Sequence, residues 1–251
     1  MRPTIKPSTI KRAITGGLLC LALLPTGPLL AADDSFPPPH RADYTLHHGS
    51  FKVGNVTLEL TQGDDGLYRY SSNSKSSGFL SWFYKASAME QSWFRLQDGI
   101  IQPTRYQLDR RDGKRKRKAR LEFDWDRNRV TNQVAGTTWK LAIPAQTIDK
   151  LAVNLAVMHD LAKATQTLSY QVADGGKLKH YQFEIKGEEK LETPIGTLQT
   201  IKVTRNHKKD RTTTLWCATQ LNYLPVRIER QEKGELVRMQ ITALSGIEIK
   251  P

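Results

Sequence analysis

The stretch VTLELTQ, residues 56–62, alternates apolar and polar side chains from Val56 to Thr61. Val56, Leu58 and Leu60 occupy one phase, and Thr57, Glu59 and Thr61 the other. Successive side chains of a β-strand point to opposite faces, so a period of two describes a strand buried on one side and wet on the other. The same pattern recurs along the chain. In LEFDWDR, Leu121, Phe123 and Trp125 alternate with Glu122, Asp124 and Asp126; in HYQFEIK, Tyr181, Phe183 and Ile185 do the same; later Val226 and Ile228 alternate with Arg227 and Glu229. Turn-forming residues punctuate these runs at Gly63-Asp64-Asp65-Gly66, Asp98-Gly99, Asp112-Gly113, Asp174-Gly175-Gly176 and Lys233-Gly234. The spacing predicts an all-β fold with one helix, built as an antiparallel barrel-like or strongly curved β-sheet.

The helix is expected in TIDKLAVNLAVMHDLAKAT. Ile148, Leu151, Ala152, Leu155, Met158 and Ala162 fall at helical spacing, which predicts a helix over 148–163 with Thr147 as its N-cap, packed on an end or face of the sheet. His159 falls at the edge of that stripe as a packed or partly exposed helix residue.

Residues 1–32 have a different composition. Arg2, Lys6, Lys11 and Arg12 precede the apolar run AITGGLLCLALL, and PTGPLLAA follows, ending in the small residues Ala31 and Ala32. A charged start, a short apolar core and a small-residue exit are the marks of a secretory signal peptide, here with cleavage expected after Ala32. The run is shorter than the roughly 20 residues that span a bilayer. Residues 33–251 are then expected to form a single β-rich domain, with 34 Lys and Arg against 25 Asp and Glu once the four leader cations are removed. Cys20 goes with the leader, so Cys217 remains alone and the domain must fold without an internal disulfide.

RRDGKRKRKAR, residues 110–120, carries eight basic residues and one acidic residue. Asp112-Gly113 as the turn centre sets Arg111 across from Lys114, Tyr106 across from Ala119 and Leu108 across from Arg117. The apolar phase that runs back through Phe123, Leu121 and Ala119 then reaches Arg117 and Arg115, so neither face of the tip can be buried and the hairpin projects into water. Export removes nucleic acid as a partner. Arg110, Arg111, Lys114, Arg115, Lys116, Arg117 and Lys118 are candidate contacts for an envelope anion such as a lipid phosphate or lipopolysaccharide, with peripheral membrane contact; a solvated hairpin that protects a sheet edge is the alternative.

The sequence names no reaction. It has no G-x-S-x-G elbow, no H-E-x-x-H helix, no P-loop and no dinucleotide glycine pattern, so no cofactor is expected. Ser72 to Lys75 matches S-x-x-K in spacing, but it lies where a strand, not a helix, is expected. His47 and His48 would point to opposite faces of a strand, and no metal site is expected. Cys217, on a strand with Leu215, reads as a small buried hydrophobe, since nothing local lowers its pKa.

One resemblance covers nearly the whole domain. GEEKLETPIGTLQTIKVTR followed by TLWCATQLNYLPVRIE is similar to the C-terminal signature of an exported, largely proteobacterial family of unknown function, of the DUF 3108 type. Thr193, Pro194, Gly196, Val203, Leu215, Trp216, Ala218 and Tyr223 to Glu229 carry the match, with earlier pieces at Ala42-Asp43-Tyr44, FDWDRNRVT and the helix after Asp149. The resemblance implies an all-β periplasmic domain and supplies no catalytic residues.

Loops more often carry sites on such a framework. SSGFLSWFYKASAMEQSWF, residues 76–94, is the most aromatic part of the chain. Phe79, Leu80, Trp82, Phe83 and Tyr84 are candidates for the lining of an apolar groove, with Lys85 or the basic hairpin holding a head group; two buried strands around a bend are the alternative. The expectation is a non-catalytic periplasmic protein that binds an amphipathic or anionic envelope component. The alternatives are an envelope-acting hydrolase using carboxylates or Cys217, and a protein-partner scaffold docking through the hairpin. An outer-membrane barrel fits less well, because the strands lack a lipid-facing apolar band.

Overall fold

The computed structural model describes residues 35–77, 86–134, 136–208 and 210–249. Its strands are β1 (His40–His48), β2 (Phe51–Gln62), β3 (Tyr68–Ser76), β4 (Ala86–Gln97), β5 (Ile100–Asp112), β6 (Arg115–Asp124), β7 (Arg129–Val134), β8 (Thr137–Ala142), β9 (Ile148–Asp149), β10 (Leu168–Asp174), β11 (Lys177–Thr193), β12 (Gly196–Lys208), β13 (Arg211–Ala218), β14 (Leu224–Glu232) and β15 (Glu235–Ser245). One α-helix, α1 (Val153–Ala162), lies between β9 and β10.

The strands form one curved sheet in the order β8-β7-β6-β5-β4-β3-β2-β1-β15-β14-β13-β12-β11-β10-β9. Sequence neighbours pair antiparallel throughout this order, β1 closes onto β15, and only β9 pairs parallel, with β10. Such an up-and-down path alternates its turns between two ends. The β1–β2, β5–β6, β10–β11, β12–β13 and β14–β15 turns share one end; the β2–β3, β4–β5, β6–β7 and β11–β12 turns share the other. The fold is the all-β, barrel-like sheet that the alternation predicts.

Inward phases build the core. Ala42 and Tyr44, then Val56, Leu58 and Leu60, then Tyr70, Phe94, Tyr106 and Leu121 are all buried, as are Val226 and Ile241 across the β1–β15 join. Tyr44 secures that join, donating its phenol hydrogen to the Pro225 carbonyl at 2.8 Å. Burying a large aliphatic or phenyl side chain such as Leu60 or Phe94 contributes roughly 1.5–3 kcal/mol before conformational entropy is subtracted.

The helix differs from expectation at its start. It begins at Val153 rather than at 148, because Ile148 and Asp149 pair with Val172 and Ala173 of β10. Thr147 is not its cap; its hydroxyl donates to the Pro144 carbonyl at 2.7 Å. Asp149 instead holds the turn that leads into the helix, with Oδ1 accepting from the backbone N–H groups of Leu151 at 2.9 Å and Ala152 at 3.1 Å; the N-cap residue itself is Ala152, without a side-chain cap. Ile148, Leu151 and Ala152 are buried by tertiary packing, which mimicked helical spacing in the sequence. Seven of the ten helix residues are buried, so α1 packs closely against the sheet. His159 is among them, its ring 5.7 Å from Phe36, which also packs on Tyr68 and Phe94 of the sheet. Asp160 accepts from the Tyr170 hydroxyl of β10 at 2.8 Å. The helix thereby ties β3 and β4 to β10 near the end that carries the β4–β5 turn.

The β5–β6 register also differs. Asp112 pairs with Arg115, Leu108 with Ala119 and Tyr106 with Leu121, two residues away from the expected pairing. The turn centre is Gly113-Lys114, with Gly113 at φ +59° as the first central residue. Glycine first is the type II′ arrangement, whereas the expected pairing treated it as the second residue of a type I′ turn. A slip of two keeps every side chain on its expected face, so the inward phase through Leu121, Ala119 and Arg117 stands.

Candidate functional site

Between the helix and the β1–β2 and β5–β6 turns, the sheet encloses a cavity of about 920 Å³. That volume stands near the top of the range for small-molecule sites, about 300–1,000 Å³. Its origin lies in the side chains of β3 and β4. Their inward positions carry Ser72, Ser74, Ser76, Ala86 and Ala88, and Ser74 pairs directly with Ala88. Small residues where a filled barrel would place large ones leave space. Leu46, Val56, Leu108, Leu121, Val237 and Met239 make the remaining wall apolar.

Polar groups mark the inner and outer limits. At the inner limit, Lys150 Nζ lies 2.9 Å from Glu90 Oε2, and the Tyr106 hydroxyl donates to the same oxygen at 2.8 Å. Burial, and then the Glu90 charge, push the Tyr106 phenol far above its ordinary pKa, so it stays a donor. Behind this pair, Asp149 is fully buried and accepts from the Ser92 hydroxyl at 2.5 Å. Burial raises Asp149 to about 6 against its hydrogen bonds. On the wall, buried Asn132 faces the cavity, and its Oδ1 has no partner among the described residues.

At the outer limit, Arg110 and Arg111 of β5, Arg117 of β6 and Arg230 of β14 all line the mouth. They come from strands on either side of the β1–β15 join. Arg230 is lowered from its ordinary value first by burial and then by Arg211, Arg205 and Arg110, so the guanidinium groups crowd one another. Next to them, Arg205 lies 3.3 Å over the Tyr181 ring, and the Tyr181 hydroxyl donates to Asp174 at 2.9 Å. Burial and the neighbouring arginines push His207 down to about 4, so it is neutral near pH 7.

Of the candidate residues read from the sequence, Arg110, Arg111 and Arg117 line the mouth, while Lys114, Arg115, Lys116 and Lys118 stand exposed on the tip of the hairpin. Phe79, Leu80, Trp82, Phe83, Tyr84 and Lys85 lie outside the described residues; Ser76 and Ala86, which flank the segment 77–85, both line the cavity. Residues 86–94 of the aromatic stretch belong to β4 rather than to a loop. Ser72 and Lys75 sit on β3, without the helix start that a serine–lysine nucleophile needs. His47 and His48 pair into β1, and His48 Nε2 contacts Glu235 at 2.7 Å. Cys217 is fully buried, and burial raises its thiol well above the ordinary value. Sequence reading missed Arg230, Lys150, Glu90 and the serine–alanine wall. The signal for the wall was available: an inward strand phase made of Ser and Ala.

A family model described as "Protein of unknown function (DUF3108)" matches residues 43–242. The chain belongs to this family. The match takes in the cavity wall, the arginine rim and the helix, so the DUF3108 region and the barrel-like domain coincide. No curated protein sequence matches the chain. Among solved structures, this DUF3108 member is similar to a beta-barrel-like protein of DUF1849 from Brucella abortus, with a TM-score of 0.53 and 9% identity over 84% of this chain and 98% of that one. A candidate lipoprotein from Parabacteroides distasonis gives a TM-score of 0.35 at 10% identity over 84% of this chain and 98% of that one. At such identities the Brucella likeness shows the DUF3108 fold to be barrel-like and nothing about activity.

Proposed function

We propose that this chain is a non-catalytic periplasmic protein that encloses the acyl part of an amphipathic anion, with the anionic head group at the arginine rim. The observation that carries this reading is one cavity with apolar walls and a cationic mouth. An acyl chain gains roughly 0.8 kcal/mol for each methylene removed from water, so a chain of ordinary length has ample driving force. Guanidinium groups suit phosphate and carboxylate oxygens because their paired N–H groups match that geometry. Export by a leader cleaved near Ala32 would bring the protein to a compartment rich in lipid phosphates and lipopolysaccharide. The unpaired Asn132 Oδ1 offers an acceptor for a hydroxyl on the chain.

Native mass spectrometry of the protein recovered from the periplasm, with lipid extraction, tests this directly. A bound acyl species is expected, together with saturable binding of a fluorescent fatty acid to the delipidated protein. An empty protein that also fails to bind the fluorescent fatty acid overturns the reading.

A further inference from the structure

The two ends of the barrel carry opposite charge at their turns. At the mouth end, Lys114 to Lys118 form an unbroken run of five exposed cations around the β5–β6 tip. Among the described residues, Arg111, Lys114, Arg115, Lys116 and Arg117 form no ion pair, whereas Lys118 meets Asp109 at 3.3 Å. Carboxylates at this end are mostly engaged. Asp112 pairs with Arg110 at 3.3 Å, Glu232 with Arg211 and with Arg230 at 2.7 Å, and Glu235 with His48 at 2.7 Å; Asp210 is exposed and outside these pairs. The far-end turns instead carry Asp64, Asp65, Asp98 and Asp126. Of the cations beside them, Arg95 pairs with Asp65 at 3.7 Å and Arg127 with Asp124 at 3.0 Å, while Arg69 and Arg129 flank the same turns and are exposed. Phe51 opens β2 in the β1–β2 turn region of the mouth end, 72% exposed and followed by exposed Lys52. His48 and Val53, on either side of that turn, line the cavity, so the apolar ring stands at the rim.

We infer that the mouth end docks on an anionic lipid surface, with Phe51 entering between head groups and the basic tip resting on phosphates. A dipolar barrel orients itself in the field of such a surface, which draws the cationic end inward and repels the acidic turns. Phe51 then removes its ring from water at little cost, as interfacial aromatic residues do. The cavity opens toward the bilayer in this pose, so an amphiphile passes between membrane and cavity without crossing water. What is exchanged rests on the proposed cavity function; the docking itself does not.

Co-sedimentation of the purified protein with vesicles measures the docking. Binding is expected to vesicles of phosphatidylglycerol and phosphatidylcholine and not to phosphatidylcholine alone. Replacing Lys114, Arg115 and Lys116 together by serine should weaken it about a hundredfold, since each surface cation contributes about a factor of five. A dye attached at Phe51→Cys should shift to the blue on the anionic vesicles, while the same dye at Asp64→Cys should not. No binding to anionic vesicles, equal binding to both lipids, or a shift at position 64 overturns the docking. Thermal unfolding of the triple variant, expected to match the parent, separates lost docking from lost fold. Fluorescent fatty acid binding without vesicles reports on the cavity alone, so docking and cavity fail separately.

Discussion

Trp139 of β8 covers Gly176 in the β10–β11 turn, its indole Nε1 donating to the Gly176 carbonyl at 3.2 Å. The sheet order leaves β8 and β9 as its two ends, so this contact links the β8 end to the strands next to the other. Arg117 reaches the same turn, 3.8 Å from where a Cβ on Gly175 would stand. Side chains, rather than a backbone ladder, join the barrel there, beside the arginine rim.

Gly176 has φ +79°, and a Cβ on it would lie 2.0 Å from Trp139 Cζ2. Gly176→Ala should therefore destabilise the protein by at least about 2 kcal/mol, from backbone strain plus displacement of the indole. Urea unfolding checks this. A change smaller than about 0.5 kcal/mol would mean that Trp139 swings away freely and the seam contributes little.

Asp149 links pH to stability. In the unfolded chain its carboxyl ionises near roughly 3.9; in the folded protein burial holds the proton until about 6. The folded state binds the extra proton between those values, so its stabilising effect is complete below about pH 4 and is lost as pH rises through 6. The two-unit difference corresponds to about 3 kcal/mol. Asp149→Asn keeps an acceptor for the Leu151 and Ala152 N–H groups and does not titrate. Its stability relative to the parent should improve by that amount from pH 4 to pH 7. A difference that does not change with pH removes Asp149 as a titrating group in this window.

Cys217 should stay unmodified by N-ethylmaleimide in the native protein and react once urea unfolds it. The thiol is fully buried between β12 and β14, and burial disfavours the reactive thiolate. Peptide mass mapping reads the site. Rapid native labelling would reopen a chemical role for this residue.

Ala88→Trp places an indole in the cavity opposite Ser74. Overpacking costs stability in a filled core, but here the space exists, so the melting temperature should change by only a few degrees. Binding of a fluorescent fatty acid should fall at least tenfold. Unchanged affinity would place that ligand outside the cavity.

Much of the framework was legible along the chain. The period-two phases of Val56–Leu60 and Leu121–Trp125, and the glycine-bearing turns between strands, report purely local demands: which face a side chain takes, and where a left-handed residue is needed. The inward phase that runs from Leu121 through Ala119 to Arg117 survived even a misplaced turn, because a two-residue slip preserves faces. The burial of Cys217 was legible for the same reason. The helix start was not: Ile148 and Leu151 are apolar because β10 and the core bury them, and that burial shows the same spacing as a helix face.

The sequence by itself determined an alternating, one-helix, all-β chain with a cationic hairpin, since each of those properties is set by neighbours a few residues apart. Only the tertiary structure decided that Arg110 and Arg230 would share one mouth, that Lys150 would meet Glu90, and that the serines of β3 and the alanines of β4 would stand side by side on one wall of the cavity. Those relationships depend on how far the sheet curves before its ends meet. Curvature is a property of all the strands packed together around the helix, and no single stretch of the chain encodes it.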